Sequence, residues 1–274
     1  MPFDNTIKNM QTPGRLHALC KLLQSGSYKK EKLRELLQPE SLNLGSEFLQ
    51  FKEVWRLAEK GDLLRIDESG IVSLNDFPKG QDIMDIVVFR QWILKVLIAG
   101  PDYTFNKFTR WFIQRGENVL YDSTERLETE FFKEVSAKYT TKREYNASAN
   151  IPAWMNWASY FGLGYTHSGL FIPNAAGRLR EAIGQDSELC ESKRIRMSEF
   201  NGWLQTHCPE LATEGESHVF TFAVSAGLRT LHDIGYLRLE AGADTTNAWY
   251  LTENNMHDVQ SLVTSLELLG GESA

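Results

Sequence analysis

The sequence predicts a mainly α protein with small β-hairpin wings, built as tandem winged helix-turn-helix units near residues 1–80, 81–184 and 192–274. The first observation is a pattern that occurs three times: an apolar helical run stopped by Gly, then a strand, a turn and a second strand. The copies are Phe51 to Leu74 around Gly61, Trp154 to Ile172 around Gly162, and Leu228 to Leu251 around Gly235. Each turn holds residues that favour reversal: Asp67 to Gly70, Thr166 to Gly169, and Gly242 to Asn247. The second observation is that further helical runs precede the first and third copies, and helix, helix, helix, hairpin is the winged-helix order.

In the first unit Pro13 suits an opening helical turn, and Leu16, Leu19, Cys20 and Leu23 follow at helical spacing up to Ser25-Gly26. Ser27 or Tyr28 opens a second helix with Leu33, Leu36 and Leu37 on one face, stopped by Pro39. The third helix, Ser46 to Glu59, takes the reader position of a helix-turn-helix. Its polar residues include Glu47, Glu53 and Glu59, and carboxylates beside phosphates are repelled, which favours a protein-facing or solvated helix.

Asp76 to Gly80 reads as a linker. The middle region begins with an apolar helix from Asp82 to Ile98, broken at Gly100-Pro101. Tyr103 to Gln114 follows, with Phe105, Phe108, Trp111 and Phe112 as a core stripe. Ser123 caps a helix to Lys138, Tyr139 to Ala149 is an exposed connection, and Asn174 to Ile183 is a helix leading out of the unit.

The third unit starts near Ser192, with Met197, Phe200, Trp203 and Leu204 on its first helix. His218 to Val224 is a short second helix, Ser225 caps a reader from Ala226 to Ile234, and Ala226-Gly227 marks a close approach of the two. Met256 to Leu269 reads as an amphipathic helix carrying Val259, Leu262, Val263, Leu266 and Leu269.

Charge is uneven. Net charge is −7, with +1 over residues 1–80, 0 over 81–200 and −8 over 201–274. That does not describe a protein coating DNA through one broad basic face. Local basic clusters exist at Lys29, Lys30, Lys32 and Arg34, at Lys138, Lys142 and Arg143, and at Lys193, Arg194 and Arg196. If DNA is touched, Lys29, Lys30, Lys32 and Arg34 are the expected phosphate contacts in the first unit, and Arg229 in the third. Protein contact is expected through Asp244 in the third turn and through Leu262, Leu266 and Leu269 on the terminal helix.

Nothing in the spacing supports catalysis. Gly162-Leu-Gly164 belongs to a hairpin, not to a phosphate-binding strand-to-helix turn. His207, Cys208 and Cys190 match no standard metal site. Glu130 and Lys133 share a helix face, which ordinary pairing explains. No enzyme activity, cofactor or metal is therefore expected. The three cysteines, Cys20, Cys190 and Cys208, do not form a disulfide framework, no signal-like segment opens the chain, and the Ile83–Ala99 run is interrupted by Asp85, Arg90 and Lys95. The expectation is a cytoplasmic protein without a membrane partner.

The stretches Leu228 to Glu240 with Asp244 and Trp249-Tyr-Leu251, and Trp157 to Gly164 with Phe171-Ile-Pro-Asn174, resemble the helix-plus-wing segments of DpdG-like proteins of bacterial defence islands. The resemblance implies a non-catalytic accessory subunit of a multi-gene antiviral system, scaffolding protein partners beside a separate helicase, ATPase or nuclease, with DNA as a further contact. It brings no catalytic residue. Two other readings of the same pattern are a kleisin-binding tandem winged-helix subunit of an SMC-like complex and a transcriptional regulator.

Overall fold

The computed structural model describes residues 10–43, 45, 47–75, 77–98, 104–135, 147–192, 194–213, 217–242, 248–253 and 258–269. The protein is mainly helical with small antiparallel sheets. It gathers into two compact units, one of residues 1–108 and 124–160, the other of residues 109–123 and 161–274. Residues 81–184 divide between them.

In the first unit, α1 (Pro13–Ser25) starts where Thr12 accepts the Arg15 N–H, and it buries Leu16, Leu19, Cys20 and Leu23 as their spacing predicts. Tyr28 does not open a helix. With Lys29 it forms β1 (Tyr28–Lys29), because β3 (Ile71–Leu74) offers the pair a ladder through Val72 and Ile71. The second helix is α2 (Lys30–Leu37), anchored by Leu33, while Leu36 is exposed. After it, α3 (Leu49–Lys60) begins later than Ser46, since Phe48 takes the left-handed conformation at φ 48°. Phe51, Val54, Trp55, Leu57 and Ala58 are buried on its inner face.

The expected hairpin then forms: β2 (Leu64–Ile66) pairs with β3, with Leu64 opposite Leu74. In its turn the Asp67 carboxylate accepts the N–H groups of Ser69 and Ile71, and Gly70 sits at φ 76°. The sheet order is β1-β3-β2.

The rest of this unit is α4 (Ile86–Ile98), the first turns of α5 (Thr104–Gln114), α6 (Thr124–Glu134) and α7 (Ala147–Tyr160). The aromatic residues are core: Phe108 meets Phe131 and Trp154 edge-on at 5.0 and 4.9 Å. Trp157, fully buried on α7, donates Nε1–H to the Gln11 carbonyl at 2.6 Å. The Gly100-Pro101 break and most of the 139–149 connection lie outside the described residues.

In the second unit, β4 (Gly164–His167) and β5 (Leu170–Pro173) form the expected middle hairpin. It leads into α8 (Ala176–Gln185), whose first free N–H, from Ala176, goes to the Asn174 side chain. Then follow α9 (Ser187–Glu191), β6 (Ile195–Arg196), α10 (Met197–His207), α11 (Phe222–Asp233), β7 (Leu237–Glu240), β8 (Trp249–Tyr250), β9 (Leu262–Val263) and β10 (Ser265–Leu268).

The second unit departs from the sequence expectations at four places. First, residues 258–269 are not helical. The apolar spacing fits a helix, but β6 and β7 both need a ladder partner, and β10 fills the gap in the order β6-β10-β7. Second, residues 236–251 are not one hairpin. β7 pairs with β10, and the intervening residues hold a separate pair, β8 with β9. Third, His218 to Val224 is not a helix: the backbone of His218 and Phe220 bonds to Tyr250. The helix starts at Phe222, with Thr221 accepting the Val224 N–H, so Ser225 lies inside it and is buried. Fourth, the helix packed on α11 at its small residues is α8. A Cβ on Gly227 would come within 2.8 Å of the Ala176 nitrogen. Residues 176–268 repeat the order of residues 13–74, helix, strand, helix, helix, strand, strand, with α9 added after the first helix and the β8–β9 pair inserted between the last two strands.

Candidate functional site

Two surfaces carry the residues that sequence reasoning singled out, one in each unit. The first is built on α2 and α3. Lys29 is exposed at the end of β1. Lys30 opens α2 and lays its Nζ 4.2 Å from the centre of the Trp55 ring on α3. Lys32 pairs with Glu35 at 2.8 Å, and this hydrogen bond holds the Glu35 carboxyl below its ordinary range. The Arg34 guanidinium lies 4.5 Å over the Phe48 ring. Three of the four cations are therefore engaged locally.

The structure alters the charge expected on α3. Glu53 points inward: it is 7% exposed, accepts from Gln11 Nε2 at 3.2 Å and pairs with Arg56 at 3.0 Å. Of the three carboxylates counted against this helix, Glu47 precedes it and sits 3.8 Å from Lys52, which leaves Glu59 on its exposed face. The other outward polar residues are Gln50, Lys52, Arg56 and Lys60. Sequence reasoning missed this because helical spacing places Glu53 near the boundary of the buried face. Only the Gln11 contact, 42 positions away, decides it.

The second surface surrounds α11, where Arg229 was expected to reach outward. It is 1% exposed. Its Nη1 donates to the Thr252 carbonyl at 2.5 Å, while Nε and Nη2 have no partner among the described residues. Burial lowers its pKa, and Asp233 opposes that shift. Ser225, one turn earlier, accepts the Thr252 N–H at 2.9 Å. Every residue from Ala223 to Arg229 is buried, so α11 offers no open face comparable to that of α3. The cover comes from α8, β5 and β7, which pack on α11, and from Thr252, which bonds Ser225 and Arg229; just before the helix, Trp249 stacks on Phe220 at 4.7 Å and on His218 at 5.1 Å.

The predicted protein-contact residues separate. Leu266 is fully buried, opposite both Ile195 and Leu239, and belongs to the core. Leu269 is 40% exposed and Leu262 half-buried; Asp244 lies outside the described residues. Leu262 helps line a cleft of about 610 Å³ with His232, Asp233, Leu239, Glu240 and Asp258. In it the His232 Nδ1 accepts the Leu239 N–H at 3.1 Å, which places any ring proton of the neutral form on Nε2. Glu240 is paired with Arg194 at 2.8 Å.

Residues considered for chemistry have structural roles. His207 stacks on Trp203 at 5.0 Å, donates Nδ1–H to the Trp203 carbonyl and places Nε2 3.6 Å from Asp186. Burial raises the Cys208 thiol to about 12, partly offset by Arg178, and also pushes Cys20 far up. Glu130 pairs with Arg126 at 2.9 Å. Among the described residues no group of three or more His, Cys, Asp or Glu side chains is arranged to hold a metal ion. Also among them, no helix is long and apolar enough to cross a membrane.

Compared with protein-family models, curated proteins and solved structures, the chain matches none.

Proposed function

We propose that this protein is a non-catalytic subunit of tandem winged-helix design that scaffolds a multi-protein assembly, in keeping with the antiviral defence role that the DpdG-like resemblance implies. Support comes from the order helix, strand, helix, helix, strand, strand with a 1-3-2 antiparallel sheet, present at residues 13–74 and again, with α9 and the β8–β9 pair inserted, at 176–268. That is the order of a winged helix.

The observation that carries the scaffolding role is the closure of α11 by α8, β5, β7 and Thr252. Buried from Ala223 to Arg229, the reader helix withholds its first turns from a DNA groove, and its last turn opens at His232 and Asp233. What this module presents instead is the cleft beside β7, with Asp233, Glu240 and Asp258 around Leu262. In a segment of net charge −8 it suits a basic, partly apolar stretch of a partner protein. Affinity capture from the native host with wild type and with Asp233→Lys/Asp258→Lys tests this. A specific partner captured by wild type and lost from the variant is expected. Identical capture by both overturns the assignment of the cleft.

A further inference from the structure

The α3 surface is the second feature that separates the two modules. It combines three cations, a neighbouring basic segment and an anionic wing. Lys52, Arg56 and Lys60 stand at i, i+4 and i+8, all exposed. Four residues advance a helix by about 6 Å, so these side chains form a single stripe along its axis. The carboxylate that would have interrupted it, Glu53, is turned into the core, where it also steadies the Arg56 guanidinium at 3.0 Å. Glu47 lies at the start of the stripe, 3.8 Å from Lys52, and Glu59 lies beside Lys60. The Lys30 contact on Trp55, the residue before Arg56, brings the basic start of α2 against α3.

The wing of the same module has the opposite character. Asp67 and Glu68 occupy its tip, exposed, and the Ser69 hydroxyl and the Ile71 N–H hold Asp67 ionised. A phosphate strand is repelled from that tip and attracted to the stripe. The stripe holds one residue suited to bidentate contact, Arg56, and that guanidinium already shares a bond with Glu53.

We infer that Lys52, Arg56 and Lys60 form a sequence-independent contact for the phosphate backbone of double-stranded DNA, made by α3 together with the start of α2 and without the wing. This rests on the winged-helix reading of residues 13–74 and adds to it the ligand and the mode of contact.

The test is fluorescence anisotropy of the full chain with a labelled 20-base-pair duplex, titrated across a range of salt. Three duplexes of unrelated sequence should bind wild type alike. The triple variant Lys52→Gln/Arg56→Gln/Lys60→Gln should weaken binding at least tenfold at low salt. It should also flatten the plot of log affinity against log salt by about 2 to 3, at roughly 0.9 per lost contact. Lys52→Arg/Lys60→Arg should bind like wild type, and Arg238→Gln, an exposed cation of the other module, should leave the slope unchanged. An unaltered slope in the triple variant, a strong preference among the duplexes, or no binding by wild type overturns the inference. Circular dichroism of the triple variant guards against misfolding, and the single variants Lys52→Gln and Lys60→Gln, each flattening the slope by about 0.9, carry the test if it misfolds. Partner capture by the triple variant keeps the two proposals apart: DNA binding that fails with capture intact removes this one alone.

Discussion

Arg229 and Thr252 are joined by one short hydrogen bond, 2.5 Å from the buried guanidinium Nη1 to the backbone carbonyl of a half-buried residue. The two other guanidinium nitrogens have no partner among the described residues. A buried cation satisfied at one nitrogen out of three is a net cost, set against the packing of its aliphatic stem. Arg229→Met keeps the packing and removes the orphaned donors, so it should leave stability unchanged or raise it, by up to about 4 kcal/mol. Arg229→Ala also opens a cavity and should cost about 2 kcal/mol or more. Urea denaturation of both variants checks this; a loss above about 2 kcal/mol in the Met variant contradicts it.

Two helical glycines should respond in opposite directions to the same change. A Cβ on Gly227 meets the Ala175–Ala176 backbone within 2.9 Å, whereas one on Gly202, in α10, meets nothing within 4 Å. Gly227→Ala forces α11 away from α8 and should destabilise by about 1–3 kcal/mol. Gly202→Ala should stabilise by up to about 1 kcal/mol through helix propensity. Thermal melts of the two single variants should bracket wild type.

Cysteine labelling should be selective. Cys190 is exposed, while the buried Cys20 and Cys208 thiols are held protonated far above neutral pH. Iodoacetamide at pH 8, read by peptide mass spectrometry, should modify Cys190 alone in the native state and all three in urea. Native modification of Cys208 would show that the segment after α10 opens.

Asp186 caps α9 and ties it to α10. The Leu189 N–H and then the Trp203 indole N–H hold its carboxyl below the ordinary 3.8. A carboxyl depressed in the folded state contributes stability above its unfolded pKa and loses that contribution as pH falls through the folded one. Asp186→Asn should therefore be less stable than wild type at pH 7, and the gap should close as pH drops below about 3.8. A gap that persists unchanged at pH 2 would assign the effect to packing.

The first module was legible in the sequence because its contacts are mostly local. Leu16, Leu19 and Leu23 show a helical period, and the residues around Asp67 and Gly70 specify a turn between adjacent strands. The last module was not, because its sheet is assembled from distant pieces. Leu262 to Leu269 fits a helical stripe as well as a strand, and only the pairing of Leu266 with both Ile195 and Leu239 decides between them. Arg229 was misplaced for the same reason: its position on α11 suggested an outward face, and the cover comes from Thr252, 23 positions later. The basic cluster was found by composition, but the engagement of Lys32 by Glu35 and of Arg34 by Phe48 was visible only in three dimensions.

The central place of β10 in its sheet has a consequence for the order in which the chain matures on the ribosome. Residues 13–74 hold every element of their own sheet and can close as soon as that stretch emerges. The sheet of the other module stays open until residues 265–268 have been made, about ninety positions after α8 begins, and until then β6 and β7 both present bare edges. Nascent chains stalled before Ser265 should therefore be captured by chaperones through the C-terminal half, while their N-terminal module already resists protease.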